Sequence, residues 1–234
     1  MKVYGPVLMG MLLALAGCGR EQPPAAPPSE AAAESPPAIA AMGREVPILA
    51  FGDSLFAGYG LKSDESYPAR LEAALRARGI NARIANAGVS GNTTADGLAR
   101  LAFTLDGQKA PPALALVELG ANDMLRALPP AQARANLDAI LAELGKRKIP
   151  VVLMGMLAPP NLGADYRRQF DTIYPALAKK HGAVLVPFFM QAVAGKPALV
   201  QPDHLHPTAQ GIDEIVSATV DAVAGALPPN HHNE

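Results

Sequence analysis

Apolar residues fall along this chain in two alternating kinds of segment. One kind is short and apolar almost throughout: residues 46–51 (Val46-Pro47-Ile48-Leu49-Ala50-Phe51), 82–87, 113–119, 150–156 and 183–187. Short apolar runs bounded by glycine or proline predict strands buried on both faces. The other kind is longer and spaces its apolar side chains three and four apart, the period of a helix with one buried face. Residues 65–78 (Tyr67, Leu71, Ala74, Leu75) end at Gly79, a natural C-cap, and 94–105 align Leu98, Leu101 and Leu105. Residues 130–148 begin with proline and repeat Ala133, Leu137, Ile140, Leu141 and Leu144. Residues 166–181 are closed by Gly182, and 207–227 carry Ile212, Ile215, Val216, Val220 and Val223. Buried strands separated by helices predict a parallel sheet covered on both faces. The fold class is therefore α/β, a three-layer α/β/α sandwich with a five-stranded parallel sheet and right-handed crossovers, flavodoxin-like in outline, over residues 46–227.

The first 45 residues belong to a different regime. Lys2, an apolar centre over residues 7–16 and small residues before Cys18 have the layout of an export signal over 1–17, too short to span a membrane comfortably. Leu15-Ala16-Gly17-Cys18 resembles the bacterial lipoprotein signal, which implies lipidation of Cys18. Gly19 in place of an aspartate then implies the outer membrane, with the protein on its periplasmic side. Residues 18–45 turn to Pro, Ala, Ser and Glu, and paired prolines predict a semi-rigid disordered tether. Residues 228–234 read as a polar tail. Its His231 and His232 can be a metal pair, but a frayed terminus is the simpler reading.

Composition narrows the class only a little. The 234 residues are 50% hydrophobic with a net charge of −1, enough for a sizeable core and no electrostatic reason to expect nucleic acid. A single cysteine excludes an internal disulfide framework and a Cys-based zinc site. No metal or other cofactor is expected.

The chemistry gathers at the strand ends. Ser54 follows the first strand in Gly52-Asp53-Ser54-Leu55, Gly88 follows the second, and Asn122 follows the third in Gly120-Ala121-Asn122-Asp123. A parallel sheet puts these carboxyl ends along one edge, where open α/β folds bind ligands. A nucleophilic serine needs a base, and Asp203-His204-Leu205-His206 precedes the last helix. The three-residue spacing lets the Asp203 carboxylate fold back onto His206 Nδ1–H while Nε2 faces the serine. Pro207 is expected to start the helix and so fix that loop. The Ser54 and Gly88 N–H groups and the Asn122 amide can serve as three oxyanion donors. The absent side chain of Gly88 suits a close approach of that oxyanion. His204 is the rival base, too close to Asp203 for the same fold-back, and with Asp203 and His206 it also mimics a metal cluster. Asp123 reads as a turn residue, and Glu118 as structural.

These blocks, in this order, resemble the GDSL or SGNH hydrolase family. Residues 117–126 and the stretch from Gly91-Asn92-Thr93-Thr94 to Leu101 look most like its bacterial arylesterase and acyl-CoA thioesterase/lysophospholipase subgroup. The resemblance implies Ser54 as nucleophile, His206 as base, Asp203 as its orienter, and Ser54, Gly88 and Asn122 as the oxyanion hole. It implies hydrolysis of carboxylic esters or thioesters of short to medium acyl chains. A cell-wall carbohydrate O-deacetylase on the same fold, or a tethered binding module without catalysis, are the alternatives. The apolar or small residues 125–129 and 157–163 are expected to wall an acyl pocket, which suits a hydrocarbon better than a sugar. Only neutral imidazole accepts the serine proton, so kcat/KM is expected to rise with pH as His206 loses its proton.

Overall fold

The computed structural model describes residues 43–229; the predicted export signal, Cys18, the tether up to residue 42, His231 and His232 lie outside the described residues. The described residues form five strands: β1 (Val46–Gly52), β2 (Ala82–Gly88), β3 (Leu114–Glu118), β4 (Val151–Met154) and β5 (Val184–Val186). All pair in parallel, in the order β2-β1-β3-β4-β5. The interior strands β1, β3 and β4 are buried almost throughout, as their unbroken apolar sequences require, while the edge strands β2 and β5 keep exposed positions. This is the flavodoxin-like order, and its direction of winding reverses between β1 and β3. Gly52 stands level with Gly88 on one side and Glu118 on the other, so three strand ends share one edge.

Among the described residues eight helices complete the layers: α1 (Ser54–Ala57), α2 (Tyr67–Ala77), α3 (Thr94–Asp106), α4 (Ala121–Leu125), α5 (Pro130–Lys146), α6 (Ala164–Phe170), α7 (Ile173–His181) and α8 (Ala209–Gly225). α2 packs with α8, while α3 packs with α5 and α5 with α7. Each buries the stripe that its period marks, as in Leu137, Ile140, Leu141 and Leu144 of α5. A polar contact joins α2 to α8 inside the apolar layer. The Thr219 hydroxyl donates to Ile215 O at 2.8 Å, which leaves the buried Tyr67 hydroxyl to donate to Thr219 Oγ1 at 2.8 Å. Thr93 caps α3 in a reciprocal pair with Asp96, an arrangement worth about 1 kcal/mol.

Two helix boundaries depart from the hydrophobic pattern. The single helix expected over 166–181 is two, broken at Asp171 and Thr172. Asp171 accepts the Ala158 N–H at 2.8 Å, and the Thr172 hydroxyl donates to Gln169 O at 3.0 Å. Short polar side chains that bond the backbone in this way compete with a continuous helix. The last helix starts at Ala209 rather than at Pro207. Thr208 is its N-cap, accepting from Gly211 N at 3.1 Å, and Pro207 instead bridges to Val200.

Candidate active site

The serine stands at the start of the one-turn helix α1. Asp53 caps that helix, its Oδ1 accepting the Leu55 N–H at 3.1 Å, and Gly58 ends it in the left-handed region at φ 80°. So short a helix has little stability of its own. Its anchors are Leu55 and Phe56, both buried. Phe56 stacks on Tyr67 at 5.2 Å, and Phe189 stands edge-on to both rings. Truncating an aromatic ring in such a core costs about 3–5 kcal/mol, so α1 is held from below.

The histidine arrives from the loop before α8. His206 Nε2 lies 2.8 Å from Ser54 Oγ, and His206 Nδ1 lies 2.6 Å from Asp203 Oδ2. Asp203 Oδ1 also accepts the Leu205 and His206 N–H groups, at 2.9 and 3.0 Å. The His206 side chain, followed by these two backbone donors, holds the Asp203 carboxyl down at a pKa of about 2. An ionised carboxylate only accepts, so Nδ1 carries the imidazole proton and Nε2 is free to accept from the serine hydroxyl. The three-residue spacing folds back as its geometry requires. His204 adopts φ 60° and lines a separate hollow beside Val193 and Lys196. Among the described residues no group of three His, Cys, Asp or Glu side chains is placed to hold a metal ion.

What locks this loop is Gln201 rather than Pro207. Its N–H donates to His206 O at 2.7 Å, and its side-chain amide donates to Pro207 O at 2.9 Å and to Tyr59 O at 2.8 Å. One side chain thus ties the histidine loop to the turn that follows the serine helix. Gly60 makes room for it: a Cβ there would stand 2.3 Å from Gln201 Oε1. The same clasp sets the Tyr59 ring against the His206 ring, 4.5 Å between centroids. Sequence reasoning missed both residues. The Gly58-Tyr59-Gly60 triplet was the available sign of a turn built around that ring.

Asn122 sits in the first turn of α4, after Gly120 at φ 117°. Its Nδ2 donates to Asp53 Oδ2 and to Asn92 O, each at 3.1 Å. The adjacent Asp123 is buried and accepts from Thr94 N and Thr94 Oγ1 at 2.8 and 2.6 Å, which ties α4 to α3. Packing gives Gly88 a further reason to be glycine. A Cβ there would lie 2.3 Å from Ala57 N and 2.8 Å from Phe56 C, in the backbone of α1. Its N–H donates to Asn86 Oδ1 at 2.9 Å, and Asn86 Nδ2 in turn donates to Phe56 O.

Beside the serine opens a cavity of about 430 Å³. Leu125, Leu157 and Pro159 from the two expected wall segments line it, together with Met156, Phe188 and Met190, which the sequence did not single out. The lining is almost wholly apolar except at Ser54, His206, Ser90 and Asn122.

This arrangement has relatives. Residues 50–213 match the family model described as GDSL-like Lipase/Acylhydrolase family. A solved structure titled AlinE4, a SGNH-hydrolase family esterase, shares 67% identity at a TM-score of 0.68, over 80% of this chain and 99% of that one. An arylesterase of Vibrio mimicus is 41% identical over 68% of this chain and 79% of its own length. Thioesterase 1/protease 1/lysophospholipase L1 of Escherichia coli K12 is 39% identical over 68% of this chain and 74% of its own. With its sheet order, its strand-end residues and these likenesses in agreement, the chain belongs to the GDSL-like lipase/acylhydrolase family.

Proposed function

We propose that this protein hydrolyses carboxylic esters or thioesters of short to medium acyl chains through an acyl-enzyme on Ser54. The observation that carries the reading is the continuous hydrogen-bonded line from Ser54 Oγ through His206 to Asp203, opening onto an apolar cavity. The serine oxygen attacks the carbonyl carbon while its proton passes to His206 Nε2. Asp203 stabilises the imidazolium that forms. The tetrahedral intermediate collapses, and the alcohol or thiol leaves with the proton from Nε2. Water then gives a proton to the same nitrogen as it attacks the acyl-enzyme, and the acid departs as Ser54 recovers its hydrogen.

The negative oxygen is met by the Ser54 N–H, one of the donors that a helix start leaves without an intrahelical partner, and by Asn122 Nδ2, which exchanges its Asn92 acceptor for the oxyanion and keeps its bond to Asp53. Gly88 N–H joins them by exchanging its Asn86 acceptor for the oxyanion. The apolar lining favours a hydrocarbon chain over a polyhydroxyl ring, because sugar hydroxyls would be left without partners there. Ser54→Ala tests the reading directly, and labelling of Ser54 by a fluorophosphonate tests it independently. Asn122→Ala is expected to lower kcat by about 10²–10³-fold with a smaller change in KM, since the donor matters most when charge develops. Single-turnover hydrolysis of nitrophenyl butyrate measures it.

The same reading places the enzyme outside the cytoplasm, on a lipid anchor at Cys18. It rests on the position of the sole cysteine after Leu15-Ala16-Gly17 and on the Pro/Ala-rich stretch that follows. Cys18→Ser is expected to move the activity from the membrane fraction to the soluble fraction. Unchanged partition, or no incorporation of an alkynyl fatty acid into the parent, would remove the anchor from the proposal.

A further inference from the structure

Glu118 closes β3 and is fully buried, yet the reaction assigned to Ser54, His206 and Asp203 makes no use of it. Its Oε2 accepts the Asp53 N–H at 3.3 Å, and its buried Oε1 has no partner among the described residues. It stands beside Gly52 in the sheet, where a Cβ would come within 2.9 Å of Glu118 Oε2. The carboxyl therefore lies directly behind the nucleophile turn. There it adjoins Asp53, whose N–H it accepts and whose carboxyl is equally buried, so each carboxyl bears on the protonation of the other.

Two adjoining buried carboxyls cannot both be ionised, so a proton belongs between them. The surrounding donors decide who holds it. Asp53 Oδ1 accepts from Leu55 N–H and Oδ2 from Asn122 Nδ2, and His206 lies close enough to favour a charge on Asp53. Glu118 has only the long contact with the Asp53 N–H. Burial raises both carboxyls, and the Asp53 charge raises Glu118 further. The other titratable groups around the pair are Tyr174 from α7, whose hydroxyl donates to Leu119 O, Asp123 from α4, and Arg100 from α3, whose guanidinium donates to Gly52 O at 2.9 Å. Arg100 spends its charge on the Gly52 carbonyl and the Phe51 ring, and His206 lies on the Asp53 side.

We infer that Glu118 is a positioning residue: as a neutral acid it donates its O–H to the Asp53 carboxylate, and so holds the Asn122 amide and the start of α1 in place. A proton on the orphaned oxygen turns an unsatisfied acceptor into a donor with a partner. Asp53 then distributes four contacts: its N–H to Glu118, and its carboxylate to Glu118, Leu55 and Asn122.

The inference rests on Asn122 as an oxyanion donor, and the test separates the two. In the full chain, Glu118→Leu is expected to lower kcat about 10–100-fold on nitrophenyl butyrate with KM little changed, a partial loss of one oxyanion contact. Glu118→Gln keeps a donor for Asp53 and an acceptor for its N–H, and is expected to recover most of that kcat. A glutamine variant as slow as the leucine one, or a leucine variant with parental kcat, would overturn the idea. Infrared spectroscopy covers a leucine variant that fails to fold. Ser54→Ala protein at neutral pH should show the C=O stretch of a protonated carboxylic acid, lost on adding Glu118→Gln. A band that persists, or one absent from the start, rejects the neutral Glu118. That readout needs no turnover, so it stands apart from the serine mechanism, which fails separately if Ser54→Ala keeps normal activity.

Discussion

Ser54→Ala is expected to lower kcat/KM on short nitrophenyl esters by about 10⁴–10⁶-fold, the range seen when the nucleophile of a serine hydrolase is removed. The hydroxyl's hydrogen-bond partner is His206 Nε2, and α1 is anchored by Leu55 and Phe56, not by the serine. The loss is therefore chemical, and thermal stability should change by less than about 0.5 kcal/mol, as for a change away from the core. His206→Ala should cost about as much. The double variant should be no slower than either single one, because nucleophile and base act as a unit. Steady-state turnover with fluorophosphonate labelling measures all three. A Ser54→Ala protein within tenfold of the parent would take Ser54 out of the reaction.

Asp203→Asn is the next largest effect, about 10³–10⁴-fold in kcat. The two carboxylate oxygens do different jobs: Oδ2 takes the His206 Nδ1–H, while Oδ1 takes the Leu205 and His206 N–H groups. An asparagine has one acceptor oxygen for these two sets of donors. Turned either way, its amide group faces an N–H, and the imidazole is left in the wrong tautomer or the loop is opened. The pH dependence follows from the same contacts. A carboxyl depressed from 3.8 to about 2 contributes its stabilisation in full above the ordinary value, and loses it as pH falls through about 2. Asp203 thus stays ionised from pH 5 to 8, and any change in kcat/KM across that range belongs to another group. Activity of the parent that halves between pH 8 and 5 in step with the protonation of Asp203, followed by carboxyl ¹³C shifts, would contradict this.

Much of the layout was legible because burial leaves a period. β1, β3 and β4 are buried on both faces, so their sequences are apolar throughout. The helices with one buried face announced themselves by Leu71 and Leu75, or by Leu137, Ile140 and Leu144. Where side chains bonded to the backbone, the period misled. Nothing in the apolar spacing of residues 166–181 reports the hold of Asp171 on Ala158, so one helix was expected where two form. Pro207 fitted the start of a helix by type, but the tie from Gln201 leaves it in the loop and gives the cap to Thr208.

At the site, sequence spacing was informative only for partners that are neighbours in the chain. Asp203 and His206 are three residues apart, and a short loop has few ways to place them other than in contact. By itself the sequence determined the five strands and the longer helices between them, though not the short helices α1 and α4, together with the sheet edge that carries Ser54 and Asn122 and the pairing of Asp203 with His206. Local propensity and the period of burial settle these, and both are written in adjacent residues. Only the tertiary structure decided which groups meet from distant parts of the chain. It brought Ser54 to His206, set Tyr59 on the imidazole through Gln201, gave Gly88 to the close approach of α1, and stood Glu118 behind Asp53. Such contacts depend on how closely the packed layers approach, a distance that no residue type or spacing along the chain records.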